Sequence, residues 1–226
     1  MAEWLKALVS KTSIRATVSR VQISPSPQCT HDILYFMKNG LKILIGADAF
    51  GNLALGMIGP IYALFVQNIG GDILDIGWAY FVFTFTSGLV LYLISHWENR
   101  IIHKERLVVI GYLINALGCI LYFFATTQAM LLVVQIVLGI GVAIVSPAFD
   151  AVYSHFVNSK KEASDWGAWE AMGYFVAAIG AVVGSMIVKF FGFKILFIAM
   201  SIAALIGATV SFLLFRSKHY LSHLRL

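Results

Sequence analysis

Six apolar stretches, each long enough to cross a membrane, follow one another from Leu41 onward. The hydrocarbon core of a bilayer requires about 20 predominantly apolar residues per helix, and only helices or closed barrels satisfy their backbone groups there. Short polar breaks separate the stretches, so the sequence predicts an all-α integral membrane protein with six transmembrane helices. The predicted spans are about 41–67, 74–96, 105–126, 129–154, 167–188 and 192–215.

The composition excludes a soluble globule. Hydrophobic residues make up 60% of the chain and charged residues only 12%, whereas soluble domains average about 45–50% and about 25%. The net charge of +5 is scattered between apolar stretches, which indicates membrane-surface loops rather than a nucleic-acid surface. No nucleophile elbow, phosphate-binding loop or metal-ligand spacing occurs in the sequence, so we expect no enzyme, ATP-driven pump, metal site or cofactor.

Residues 1–36 differ from the rest of the chain, and we expect them to form an N-terminal extension ahead of a six-helix domain at 37–226. They contain several basic residues and the pair Pro25 and Pro27, without the apolar run of about 7–15 residues that a signal peptide needs. A disordered cytoplasmic tail and an amphipathic helix lying on the membrane both fit this pattern.

A third interpretation comes from residues 1–28, which resemble the conceptual translation of a bacterial serine tRNA gene. Val21-Gln22-Ile23 can be encoded by a T-loop sequence, and Ala2 to Lys6 by a D-arm. On this hypothesis the start codon has been assigned too early. The natural protein would then begin at Met37.

The distribution of basic residues predicts that both termini are cytoplasmic. Loops 2–3 and 4–5 and the C-terminal segment carry eight basic residues, whereas loops 1–2, 3–4 and 5–6 carry only Lys189 and Lys194. An excess of Lys and Arg marks the cytoplasmic side of a membrane protein. The eight residues are Arg100, Lys104, Arg106, Lys160, Lys161, Arg216, Lys218 and Arg225.

The first three spans resemble the last three. A shift of 87 residues aligns Asp48 with Gln135 and Pro60 with Pro147, and the second and fifth spans both open with Asp-x-Gly. A repeat of three spans enters the membrane in opposite directions in its two copies. The sequence therefore predicts a 3+3 inverted repeat, which is typical of secondary transporters.

This arrangement resembles one six-helix half of a major facilitator superfamily transporter over residues 41–215. The best local match is Gln135-x3-Gly139-x-Gly141-x-Ala143-x3-Pro147, which is similar to the family's Arg-x3-Gly-x-Gly-x-Ala pattern with a later proline. The family's arginine is replaced by Gln135. Of the family's motif between the second and third helices, only the basic character survives.

Two polar residues at membrane depth are candidates for the solute or ion pathway. Asp48 could bind a proton or cation, with Asn52 one helical turn later on the same face; alternatively, it caps a helix break or pairs with another helix. Gln135 would line the same central cavity as the repeat mate of Asp48, or it makes an interhelical hydrogen bond, worth about 0.6 kcal/mol on average.

Asp150 and Glu170 lie nearer the helix ends, where loop-facing or capping roles compete with a place in the pathway. Pro60 and Pro147 are predicted to break or kink their helices, and freed backbone groups are tolerated beside a cavity. Small residues permit close helix packing. They are Gly139, Gly141, Gly180 and Gly184.

The resemblance implies a multi-pass transporter in the plasma membrane that moves a small solute by alternating access, with possible proton or cation coupling. One half provides only one wall of the pathway, so we expect a homodimer or a second six-helix half. Two alternatives stay open. The chain could be the inactive N-terminal fragment of a broken twelve-helix gene, or a scaffold subunit that transports nothing.

Overall fold

The computed structural model describes the backbone of residues 27–98, 104–157 and 162–216, and the side chains of residues 40–95, 104–157 and 162–213. The predicted N-terminal extension lies outside these side chains, and residues 1–26 lie outside the described backbone. The chain divides into two units, residues 1–34 and residues 35–226. All contacts given below belong to the second unit.

The described residues form seven α-helices and one short 3-10 turn. Six helical segments are long and apolar enough to cross a membrane, which confirms the prediction of an all-α chain with six spans. A 3-10 turn at Gly59–Ile61 separates α1 and α2 within the first span. The helices are α1 (Pro27–Ile58), α2 (Tyr62–Asn68), α3 (Ile73–Glu98), α4 (Lys104–Phe124), α5 (Gln128–Phe156), α6 (Glu162–Phe191) and α7 (Phe193–Arg216).

Some helices extend beyond the predicted apolar stretches because polar residues at their ends stabilise the first helical turn. The fifth span begins at Glu162, and its first turn also contains Asp165. Acidic side chains stabilise the first turn because the helix dipole is positive there. At the start of α5, Thr127 accepts a hydrogen bond from the backbone N–H of Met130. Gly70 and Gly192 adopt positive φ angles of 83° and 82° in the turns before α3 and α7, a conformation that favours glycine.

Helix α4 packs against α5 and α7, while α3 also packs against α5. Glycines allow these contacts to be close. A Cβ added at Gly118 would lie 2.4 Å from a side-chain carbon of Leu138. Each of the two buried clusters contains aromatic rings: Phe65, Tyr122 and Phe197 in one, and Phe149 and Tyr153 in the other.

Helices α3 and α6 are the least covered by the rest of the chain. Only 6% of the apolar window of α3 and 11% of that of α6 is buried, against 44% for α4 and α7. Their exposed faces carry large apolar side chains, including Tyr80 and Phe85 on α3 and Tyr174 and Phe175 on α6. These two faces must be covered by lipid or by further protein.

Candidate functional site

Three side chains from three spans donate hydrogen bonds to the carboxyl group of Asp48. Asn52 Nδ2 donates to Oδ2 at 2.9 Å. Trp169 Nε1 also donates to Oδ2, at 2.7 Å, and the hydroxyl of Tyr112 donates to Oδ1 at 3.0 Å. Hydrogen bonds from three donors orient the group and stabilise its charged form.

Three helices supply this group of residues. Asp48 and Asn52 lie on α1, Tyr112 lies eight residues into α4, and Trp169 lies seven residues into α6.

The Asp48 carboxyl group faces a cavity of about 360 Å³ to which all six spans contribute. This volume lies within the range of about 300–1,000 Å³ typical of small-molecule sites. Among the described residues that line the cavity, the charged side chains are those of Asp48 and Asp150. Four aromatic side chains also line it: Phe83, Tyr112, Phe149 and Trp169.

An aromatic cluster joins α5 to α6 beside the cavity. The rings of Phe149 and Trp169 stack with centroids 5.3 Å apart, and Tyr153 packs on Trp166 at 4.6 Å. The hydroxyl of Tyr153 donates to the backbone oxygen of Asp165 at 2.6 Å. Packing and a hydrogen bond therefore fix the start of α6, and with it the position of Trp169.

Asn115 contributes an amide to the cavity wall. Its Oδ1 atom is buried and has no hydrogen-bond partner among the described residues. A Cβ added at Gly141 would lie only 2.1 Å from this oxygen, so the Cα–H of Gly141 points at it. Such Cα–H···O contacts recur between closely packed helices, and only glycine leaves room for one here.

The structure brings together only part of the set predicted from the sequence. Asp48, Asn52 and Asp150 line the cavity, whereas Gln135 and Glu170 are not among its lining residues. Gln135 is 5% exposed, and its Nε2 donates to the hydroxyls of Tyr62 and Tyr122, both at 2.9 Å. Glu170 lies on the exposed surface of α6.

The predicted prolines and glycines have distinct positions. Pro60 lies in the 3-10 turn between α1 and α2, while Pro147 lies inside the uninterrupted helix α5. A Cβ at Gly184 would lie 2.1 Å from the backbone oxygen of Met57, and one at Gly180 would be 3.1 Å from that of Leu53. These two glycines therefore pack against α1 within the same chain. Gly139 packs in the same way against the backbone of α3.

Sequence reasoning missed Tyr112, Asn115 and Trp169. The contacts of Tyr112 and Trp169 with Asp48 depend on how α4 and α6 are rotated about their axes, which the sequence patterns do not give. No group of three or more His, Cys, Asp or Glu residues in the described part of the chain could hold a metal ion. The cavity wall offers hydrogen-bonding groups, carboxylate charge and aromatic rings.

Six helices long and apolar enough to cross a membrane surround a cavity that holds a carboxyl group, as in a multi-pass membrane protein of transporter type. A sequence model of the Major Facilitator Superfamily matches residues 46–225, and the chain belongs to this family of transporters, which are not enzymes. It is 22% identical over 161 residues to an uncharacterized MFS-type transporter of Methanocaldococcus jannaschii. That match covers 71% of this chain but only 42% of the relative's length.

Proposed function

We propose that the chain transports a small solute by alternating access, with Asp48 as the central pathway residue, Asn52 and Asp150 beside it, and a proton or cation as the coupling ion. The observation that supports this proposal is the hydrogen-bonded carboxyl group facing a cavity lined by all six spans. An ionisable side chain at the centre of a membrane helix costs at least about 2.5–3.5 kcal/mol, so such residues usually serve a pathway or a partner.

The test is solute-driven ion movement in proteoliposomes that contain the full chain and a trapped pH-sensitive dye. Dialysable small molecules from a cell extract are added outside, and the internal pH is followed. We expect Asp48→Asn to abolish the signal while membrane insertion stays normal, because the amide cannot carry the charge. Glu170→Gln is the matched control, since it removes a carboxylate that does not line the cavity, and it should keep the signal.

Unchanged ion movement in Asp48→Asn would remove Asp48 from the mechanism. No signal from the unsubstituted chain, alone or with a second half, would favour the fragment or scaffold alternative. A sodium gradient imposed in place of a proton gradient distinguishes the two coupling ions.

We further propose that a second six-helix half covers the exposed faces of α3 and α6, and that both termini lie in the cytoplasm of a cell whose plasma membrane holds the protein. The second half is another copy of the chain or a separate six-helix segment. The poor coverage of α3 and α6 and the relative's greater length support the second half. The basic residues of loops 2–3 and 4–5 and of the C-terminal segment support the cytoplasmic termini.

Cysteine cross-linking distinguishes a second copy from a different half. Cys119 is buried, so only Cys29 has to be replaced beforehand. We expect a chain carrying Tyr80→Cys and Tyr174→Cys to form covalent dimers on mild oxidation in the membrane. The matched control carries Leu117→Cys and Ile198→Cys, two exposed positions on α4 and α7, and should stay monomeric. Equal dimer formation by both pairs, or by neither, would contradict the homodimer.

A further inference from the structure

We infer that the cavity binds an organic cation with an aromatic or apolar body. This inference rests on the proposed transport function and names the substrate class of the same cavity. The first argument is the sign of the charge. Asp48 and Asp150 are the charged side chains among the described lining residues. An anionic solute would meet two carboxylates there without a compensating cation.

The second argument is that Asp48 keeps an unused hydrogen-bonding site and an unneutralised charge. A carboxylate offers about four lone-pair sites for hydrogen bonds. Three donors occupy Asp48, two on Oδ2 and one on Oδ1, and all three are uncharged side chains. The hydrogen bonds hold the carboxylate in place, but they do not neutralise it. A cationic solute would supply the missing charge.

The third argument comes from the aromatic residues in the cavity wall, two of which also hold the Asp48 carboxylate. A cation over the face of Trp, Tyr or Phe within about 6 Å of the ring centre is attracted by the ring quadrupole, and Trp is the best of the three. Trp169, Tyr112, Phe149 and Phe83 all line the cavity. Aromatic faces together with a carboxylate are suited to an ammonium group on an apolar body.

The donor set argues against a bare metal cation as the main occupant. Hard cations such as Mg²⁺ and Ca²⁺ prefer six or more oxygen ligands. No group of three potential metal ligands occurs among the described His, Cys, Asp and Glu residues. The cavity of about 360 Å³ is also far larger than a single ion requires. An organic cation fills this space and matches its walls.

The test measures binding to the purified full chain in detergent with three probes of similar shape. They are phenylethyl-trimethylammonium, its neutral carbon isostere (3,3-dimethylbutyl)benzene, and the anion 3-phenylpropionate. A bound ligand raises the unfolding midpoint Tm in a saturable way. We expect the cation to raise Tm, and the neutral and anionic probes to leave it unchanged.

Three variants locate the effect. Asp48→Asn and Asp150→Asn should each weaken the apparent affinity for the cation about tenfold or more, because each removes one of the two charges that face it. Glu170→Gln should leave the affinity unchanged, since its carboxylate lies outside the cavity. Asp150 is exposed, so its variant is expected to fold even if the Asp48 variant does not.

Equal stabilisation by the anion or the neutral isostere would overturn the inference. The inference would also be overturned if Asp150→Asn kept full affinity for the cation while Glu170→Gln lost affinity for it. Failure of the transport proposal looks different. If the cation bound but was not taken up into proteoliposomes, the inference would stand and the transport proposal would be rejected. If extract-driven transport occurred without cation binding, the transport proposal would stand and the inference would be rejected.

Discussion

Asp48 and Gln135 occupy positions that a shift of 87 residues aligns, yet their surroundings are opposite. Asp48 accepts three hydrogen bonds and still faces an open cavity. Gln135 donates to two tyrosine hydroxyls inside a closed core and is only 5% exposed. The two aligned positions therefore differ: Asp48 lines a cavity, whereas Gln135 lies in a packed core.

The neighbouring side chains explain the difference. Near Gln135 the ring of Tyr122 packs against Phe197 at 5.2 Å and Phe65 at 5.8 Å, so aromatic rings fill the space. Beside Asp48 the lining residues on α1 include Gly51 and Ala54, which leave space empty. Small residues on α1 thus leave a cavity beside Asp48, although aromatic rings form part of its remaining wall, whereas rings fill the space around Gln135.

The largest effect on stability is expected from Gln135→Leu. Leucine removes both hydrogen bonds and leaves the hydroxyl of Tyr122, which is buried, without its donor. An unsatisfied buried polar group costs about 1–3 kcal/mol, and we expect a loss of this size in the free energy of unfolding. Solute transport per folded molecule should remain. Unfolding in rising concentrations of a denaturing detergent, followed by circular dichroism, measures the loss.

Asn52→Leu is the matched control, because it removes a side-chain amide that lines the cavity instead of one that lies in the core. Water entering the cavity can replace its hydrogen bond to Asp48, so the loss of stability should stay below about 1 kcal/mol. Transport should fall instead. If Gln135→Leu abolished transport at unchanged stability, Gln135 would belong to the pathway and the contrast with Asp48 would disappear.

The six helices could be predicted from the sequence because a bilayer fixes both the length and the polarity of whatever crosses it. The ends of the helices could not be read in the same way. The fifth apolar run starts at about residue 167, but α6 starts at Glu162, since its polar first turn satisfies helix-end requirements rather than bilayer requirements. The 3-10 turn at Gly59–Ile61 lies at Pro60, where the sequence predicted a break or kink, but its exact bounds depend on local backbone geometry.

The candidate site was predictable only where it lies on one helix. Asp48 and Asn52 are four residues apart, so their contact follows from the helical period. Tyr112 and Trp169 reach Asp48 from α4 and α6, and this contact depends on how each helix is rotated about its axis. That rotation is set by close packing, such as the contact of Gly184 with Met57, which composition and hydropathy do not encode.

A smaller and more selective effect is expected from Trp169→Phe. Phenylalanine keeps an aromatic ring beside Phe149 but loses the indole N–H that donates to Asp48, and its face attracts a cation less strongly than that of Trp. A whole exposed cation–π contact is worth about 0.5–1 kcal/mol, so the affinity should become weaker by no more than about two- to fivefold. Titration of the Tm shift with phenylethyl-trimethylammonium measures it.

Tyr62→Phe removes one hydrogen-bonding group from the packed core around Gln135, since the Tyr62 hydroxyl is one of the two that accept from Gln135. Its expected cost is about 0.6 kcal/mol of stability, the average for a hydrogen bond between membrane helices, with no change in cation affinity. A weaker affinity in both variants would mean that Trp169 acts through general packing. If only Trp169→Phe lowered the affinity for the cation, the solute would lie against the indole ring, in the cavity beside Asp48.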